Sequence, residues 1–505
     1  MPTGPAWAAA LVLAIVSGLL CAATFPPLRL PGVVLVALAP LVIATRGRGL
    51  VAGAALGWVS GTVATAFIVV PWVAAAARDY FRQGPIVALL GGAAIAQLYG
   101  VLGTTVFGAA TARIGSRRGP VLRVLGVAAA WTASELLRAR AFTGAPWNLF
   151  AHAVYDTPLW LQTAELGGAY AVTFVLACVS AALAELWIAP REEKRAAVAT
   201  GAIVVALALG YGEVRLATLD DHGAPELRVG LVQGNVPNAW RLDPRHAPEA
   251  LASFVEPTRR ILAQRPQLVV WPENAVGFFL DPNSSLRRAV TDLLGRDGPP
   301  LLLGAPRYQQ VGDGRVRLFN SAYLLAGDGT TLGIYDKRRL VPFAEYTPLR
   351  VLAGVEAPGD YSPGEAPTVL AGPEPFGVLI CYEAIYANLA RELVQSGARF
   401  LVNASSDTWF GHGAGVEQHF ASTVFRAVET RRALVRVANA GVSAVVGPSG
   451  RVLERLPAAT SEARVALVPL RDGETPYTRF GDAFAWLTVL AAALLALLPA
   501  RARAR

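Results

Sequence analysis

Seven apolar runs fill the first 212 residues, at roughly 5–24, 29–45, 50–74, 86–112, 119–137, 160–189 and 195–212, and one more closes the chain at 483–500. A helix needs about 20 predominantly apolar residues to cross the hydrocarbon of a bilayer. Between 214 and 481 no such run occurs; short apolar stretches, charges and turn dipeptides take over. This order predicts seven spans (1–213), one polar domain (214–481) and a closing span with a basic tail (482–505). The fold class expected is an α-helical transmembrane bundle of about eight spans plus an α/β domain. Composition agrees, since only 16% of residues are charged where soluble chains carry about a quarter. Pro31 and Pro40 blur the edges of the second run. The first run lacks a basic leading segment and six more follow, so it reads as an anchor and not as a cleaved leader.

Arg and Lys in the short loops set orientation. One set of loops holds Arg46, Arg48, Arg113, Arg117, Arg118, Arg191, Lys194, Arg195, Arg501, Arg503 and Arg505; the other holds Arg29, Arg78, Arg82, Arg138 and Arg140. Eleven against five makes the first set cytoplasmic, with both termini. The polar domain is then expected outside the cytoplasm, on a multi-pass protein of the cytoplasmic (inner) membrane. Much of the formal +9 charge sits at the membrane face, where it meets anionic headgroups. Nucleic acid is not an expected partner. No phosphate-cradling glycine loop and no zinc-spaced Cys/His cluster is present, so no metal and no organic cofactor are expected.

Of three cysteines, Cys21 and Cys178 lie in apolar runs and Cys381 stands alone in the polar domain. A disulfide scaffold needs pairs. Strands are expected at 227–236, 267–275 (broken by Pro272) and 300–308, and two more within 319–340 around "GDG". A helix is expected at 251–264, two helix–turn–strand units follow Cys381, and a hairpin turns over "PSG". Strand–helix alternation mixed with hairpins predicts a mixed sheet with helices on its faces.

Glu273, Lys337 and Cys381 each fall at or just past the end of an expected apolar strand, where α/β sheets gather their active sites. Lys337 is one of two lysines among 45 basic residues. An ammonium is a compact point charge that fits beside an oxyanion where a guanidinium would not. Singly, each residue has a plainer explanation: a lone cysteine after a strand is more often core filler, Glu273 a loop carboxylate, Lys337 a solvated charge. Together they supply the base, cation and thiol of acyl chemistry.

The order Glu–Lys–Cys in "WPENA", "YDKRRLVPFAEY" and "LICYEAIY" resembles the nitrilase superfamily, whose αββα sandwich carries a Glu-Lys-Cys triad. The flanking spans, with "AFTGAPWNLFAHA", "LVQGNVP", "DTWFG" and "TPYTRFGD", narrow the resemblance to the membrane-embedded apolipoprotein N-acyltransferase family. It covers nearly the whole chain.

The resemblance implies Cys381 as nucleophile, Glu273 as general base and Lys337 as oxyanion cation, with Glu345, Tyr382 and Glu383 supporting them. It implies substrate-binding roles for Trp409, Phe410 and Gly411 on a loop near the lipid entrance and for Trp147 on a membrane-side loop. The family's tryptophan ahead of Asp-Pro falls here on Leu242, while Trp240 stands two places earlier, so Trp240 is a substrate-contact candidate out of register. Ala344 stands where many relatives have glycine. The implied reaction takes an acyl chain from a membrane phospholipid through a Cys381 thioester to the α-amine of a diacylglyceryl-cysteine apolipoprotein, in a monomer surrounded by membrane lipid. A membrane-anchored amidase using water is the nearest alternative, and a transporter or receptor with a degenerate nitrilase-like domain is the other. His412 and His419 are weaker candidates for a Cys-His pair, because Glu273 and Lys337 already fill the base and oxyanion roles.

Overall fold

Alternation along the strands of the polar half decides its layering. Leu268 and Val270 face one apolar cluster while Val269 and Trp271 face another, so this strand is covered on both sides. The computed structural model describes residues 6–219, 225–237, 240, 244–277, 279–280, 285–312, 315–348, 360–411 and 413–499. Two units are present: Met1–Thr218 with Gly413–Phe425 and Arg479–Arg505, and Leu219–His412 with Arg426–Thr478.

Twelve strands are described: β1 (Glu226–Gln233), β2 (Leu268–Val270), β3 (Leu301–Val311), β4 (Arg315–Leu325), β5 (Thr331–Asp336), β6 (Val369–Ala371), β7 (Pro375–Ile380), β8 (Phe400–Ser405), β9 (Leu434–Ala438), β10 (Ser443–Val446), β11 (Val452–Leu456) and β12 (Glu462–Pro469). They form two six-stranded sheets, β12-β1-β2-β3-β4-β5 and β11-β10-β9-β8-β7-β6. Each has a parallel trio, β1-β2-β3 or β7-β8-β9, with one antiparallel strand on one side and two on the other. The sheets therefore repeat one pairing pattern. Their inner faces share a core in which Val229, Leu231 and Val270 meet Val378, Ile380 and Val402. On the outer face of the first sheet, Phe254 and Ile261 of helix Ala247–Leu262 pack on Trp271.

The strand pattern alone predicts one mixed sheet; the two mixed sheets found face to face are the αββα sandwich that the resemblance implies. The difference is physical. Strand β12 alternates exposed and buried residues as an edge strand must, and the strands expected from sequence do not include it. A polar stitch joins the sheets: the Asn439 side chain accepts from Val236 N (2.9 Å) and donates to Val236 O (2.8 Å), while Ser443 Oγ donates to Gln233 Oε1 (2.6 Å).

Among the described residues of the other unit, five helices are long and apolar enough to span a membrane: Leu50–Ile68, Pro85–Gly115, Pro120–Arg140, Ala169–Ile188 and Arg191–Thr218; three apolar segments, Trp7–Ala23, Pro31–Thr45 and Ala483–Leu497, are shorter. Boundaries shift from the sequence reading where the backbone turns. The run at 50–74 breaks at Val69, just before Pro71. The run at 160–189 opens with two one-turn helices, Pro158–Leu161 and Ala164–Gly167, and its long helix starts only at Ala169, after Gly168 takes a positive φ of 71°. Glycines let two helices meet closely: a Cβ on Gly53 would stand 2.3 Å from Gly108 O, and one on Gly57 2.2 Å from Thr104 O.

Charges in this unit pair near helix ends. Glu185 accepts from Arg46 and from Arg123 (2.6 Å). Glu135 accepts from Phe150 N (2.6 Å) and Thr173 Oγ1 (2.8 Å). Arg501, Arg503 and Arg505 of the basic tail lie outside the described residues.

Candidate active site

Two strand ends of the first sheet and one of the second carry the chemistry. Glu273 comes three residues after β2, Lys337 directly follows β5, and Cys381 directly follows β7. Lys337 Nζ lies 3.1 Å from Glu273 Oε1 and 2.9 Å from Glu345 Oε1. Asn320 Nδ2, from β4, donates to the same two oxygens at 2.8 Å each. The Glu345 loop is closed by Val341 N donating to Glu345 Oε2 (2.7 Å). Lysine, both glutamates and asparagine are all buried. Burial works against the Lys337 ammonium, yet Glu273 and Glu345 outweigh it and hold its pKa well above the ordinary lysine value. The site therefore keeps a fixed cation between two carboxylates.

Glu273 needs a close neighbour behind it. A Cβ on Gly304 of β3 would stand 2.4 Å from Asn274 N and 2.6 Å from Glu273 Cα. Only glycine allows β3 to run that near.

Cys381 has a positive φ of 51°, a region that costs a non-glycine residue about 1–3 kcal/mol and is held by surrounding contacts. It opens a 3₁₀ turn, Cys381–Ile385, that swings the chain off β7. Glu383, fully buried, fixes this elbow. Its Oε2 accepts from Ile380 N (2.7 Å), and its Oε1 from Arg338 N (2.7 Å) and Arg339 N (3.0 Å). Tyr335 OH lies 2.9 Å from both oxygens. One carboxylate thus ties the residue before Cys381 to the residue after Lys337. Burial raises the Glu383 pKa, and the N–H donors oppose that rise.

Burial, then the Glu273 charge, push the Cys381 thiol up to about 12, while Lys337 and a Ser405 hydrogen bond pull it down. At neutral pH the resting group is therefore the thiol. Behind it, Asn403 Nδ2 donates to Leu379 O (2.9 Å) and Cys381 O (3.3 Å).

The remaining sequence candidates fall in several places. Tyr382 packs edge-on against Tyr386, ring centroids 5.2 Å apart. Trp409 and Phe410 are half-buried on the short turn Thr408–Phe410, and exposed Gly411 ends it. In the helical unit, the Trp147 ring lies 5.3 Å from that of Trp72 and 5.5 Å from that of His419. Gln418, buried, accepts from Trp147 Nε1 (2.8 Å) and Asn148 Nδ2 (3.0 Å) and donates to Pro26 O (3.0 Å) and Ile68 O (3.3 Å). Trp240 stacks on His246 and packs against the outer core of the first sheet. Leu242, Asp243 and His412 lie outside the described residues.

Asn320, Asn403, Ser405, Asp407 and Arg436 escaped the sequence reading. Arg436 carried a signal: in "LVRVA" a guanidinium interrupts a buried apolar strand, and a buried guanidinium requires a carboxylate. Asn320 likewise interrupts "LFNSAYLL".

Family models extend this geometry to known proteins. Residues 228–475 match carbon-nitrogen hydrolase, and residues 17–182 match the apolipoprotein N-acyltransferase N-terminal domain. An apolipoprotein N-acyltransferase of Geobacter metallireducens is 32% identical over 97% of this chain and 95% of its own. One of Agrobacterium fabrum is 33% identical over 65% of this chain and 64% of its own. Among solved structures, an amidase from Nesterenkonia sp. matches 53% of this chain and 97% of its own at 21% identity, with a TM-score of 0.37. The Cys381 elbow, the paired carboxylates and the apolar helices thus sit in a membrane protein that belongs to the apolipoprotein N-acyltransferase family.

Proposed function

We propose that this enzyme N-acylates lipoproteins by ping-pong transfer through Cys381. The observation that carries the proposal is a protonated thiol on a strained elbow, electrostatically coupled to Glu273 and to a permanently charged Lys337. A thiol is a weak nucleophile until a base takes its proton. Glu273 accepts that proton, and the Cys381 sulfur attacks the ester carbonyl of a phospholipid. Lys337, with a backbone N–H, stabilises the tetrahedral oxyanion. The C–O bond breaks, Glu273 returns the proton to the departing lysophospholipid oxygen, and a thioester remains. The α-amine of a diacylglyceryl-cysteine acceptor then attacks the thioester. The C–S bond breaks, the amine proton passes by way of Glu273 to sulfur, and an amide is formed.

Glu345 and Asn320 hold Glu273 and Lys337 in register, and Glu383 does the same for the elbow. Trp409, Phe410, Gly411 and Trp147 would contact lipid, and Trp240 would not belong to the reacting centre. The domain scheme proposed is 1–213 in the membrane, 214–481 outside the cytoplasm, and 482–505 returning the chain, with both termini cytoplasmic in the inner membrane of a monomer. Loop charges support this orientation.

Intact-protein mass spectrometry of enzyme incubated with phospholipid tests the chemistry. A hydroxylamine-labile acyl adduct, absent in Cys381→Ser and discharged by a diacylglyceryl peptide, is expected. Discharge into water regardless of peptide would identify an amidase instead. No adduct under any condition would return Cys381 to a structural role.

A further inference from the structure

Arg436 and Asp407 form an ion pair in the protein interior. Both are 0% exposed, with Arg436 Nη2 2.5 Å from Asp407 Oδ2. Neither takes part in the mechanism above. A fully buried pair costs desolvation energy that its own attraction hardly repays, so its other contacts show what it does.

Those contacts run in two directions. Arg436 Nη1 donates to Asn403 Oδ1, and Arg436 Nε to Val442 O (3.1 Å). Held that way round, Asn403 must present its NH₂ to Leu379 O and Cys381 O, the carbonyls on either side of Ile380. Asp407 Oδ1 accepts from Ser405 Oγ (2.7 Å), the hydroxyl that bonds the Cys381 thiol. Asp407 itself has a φ of 55° and leads straight into the Thr408–Phe410 turn with Trp409 and Phe410. The site is shaped for this carboxylate, since a Cβ on Gly441 would stand 2.0 Å from Asp407 Oδ2.

We propose that Arg436 and Asp407 act as one positioning unit that aims the Cys381 elbow through Asn403 and Ser405 and fixes the Trp409–Phe410 turn to it. The unit acts on Cys381 through these neighbours and through the charge of Asp407. It sets the donor–acceptor sense of one hydrogen-bond chain and the root of one loop. This deepens the acyl-transfer proposal and rests on it for the meaning of the acylation readout only.

The test uses the full-length enzyme in detergent, with Asp407→Asn, Arg436→Lys, the double variant and Ser405→Ala, which leaves the ion pair intact. Two quantities are read: the pH midpoint of Cys381 alkylation by iodoacetamide, and the rate of acyl-enzyme formation with phosphatidylethanolamine. Among the described residues of its own unit, Glu273, Lys337 and Asp407 are charged groups that act on the thiol. Asp407→Asn removes a negative charge, so its midpoint should fall. Arg436→Lys loosens the cation's hold on Asp407, so its midpoint should rise. General loosening would instead move both towards an ordinary thiol. Acylation should fall roughly 10²-fold in either single variant, the scale expected of a misaimed reacting group, and the double variant should lose no more than the worse single one. Ser405→Ala breaks only one branch of the chain, so it should lose less rate than either single variant. Midpoints shifting the same way in Asp407→Asn and Arg436→Lys, or acylation rates within about two-fold of wild type, below the scale of a lost positioning contact, would overturn the proposal. If wild type itself forms no acyl-enzyme, acyl transfer fails, while the midpoint divergence still decides the positioning unit.

Discussion

Replacing Glu383 by glutamine changes one atom and should disable the elbow. The carboxylate receives only donors: Ile380 N on one oxygen, Arg338 N and Arg339 N on the other, and Tyr335 OH between them. A glutamine can turn its oxygen to Arg338 and Arg339 or to Ile380, not to both. In either pose its NH₂ faces a buried backbone N–H that has lost its acceptor. An unmade buried donor costs about 1–3 kcal/mol, and hydrogen bonds that lose a charged acceptor weaken by roughly 1 kcal/mol each. The sum, about 3–5 kcal/mol, is a large share of a total stability of about 5–15 kcal/mol. The cheapest relief is for Ile380 and Cys381 to leave the strained conformation at φ 51°. Acyl-enzyme formation, followed by intact mass in single turnover, should drop roughly 10²-fold. Tyr335→Phe removes one donor and leaves the three N–H bonds, so it should cost about 1 kcal/mol and spare most of the rate. A folded Glu383→Gln enzyme that acylates like wild type would refute the reasoning, because the elbow would then be held by something other than this carboxylate.

Three further outcomes are expected. The Cys381 pKa is raised from 9.0 to about 12, so its stabilising linkage is fully present below pH 9 and lost as pH rises towards 12; denaturant titrations across that window should show a fall that Cys381→Ala makes shallower, the remainder coming from raised groups such as Tyr323. Gly304→Ala would force a methyl against Glu273 Cα and Asn274 N, costing about 1–3 kcal/mol by overpacking and slowing acylation more than it lowers the melting temperature. Gln418→Leu strips partners from Trp147 Nε1, Asn148 Nδ2, Pro26 O and Ile68 O; at about 1–3 kcal/mol for each unmet group, less than additively, the thermal midpoint in detergent should fall by many degrees, with tryptophan emission altered through Trp147.

Much of the molecule was legible because local rules governed it. Apolar runs located the helices, and period-two patterns located β1, β3, β4 and both strands of the "PSG" hairpin. Glu273, Lys337 and Cys381 were legible because polar residues escape a core at strand ends. Helix breaks at Val69 and Gly168 were less so, because an apolar run does not say where its backbone turns. The split into two sheets came from the family resemblance and not from the strand pattern, since alternation reveals a covered face but not which strands cover it. Arg436 and Asp407 lie 29 residues apart and meet only because β8 and β9 are neighbours. Asn320 joins Glu273 and Glu345 in the same long-range way, 47 and 25 residues distant.

The two sheets have one more consequence. Glu273 and Lys337 hang from the first sheet, and Cys381 hangs from the second. Their separation is set by the thickness of the shared apolar layer, which acts as a spacer gauge. Leu231 from one side and Val378 from the other fill that layer, and neither side chain has a polar atom to offer the reaction. A methylene added or removed there would move the halves of the reaction apart or together by tenths of an ångström. Catalytic drift among relatives should therefore accumulate in residues whose only visible occupation is filling space.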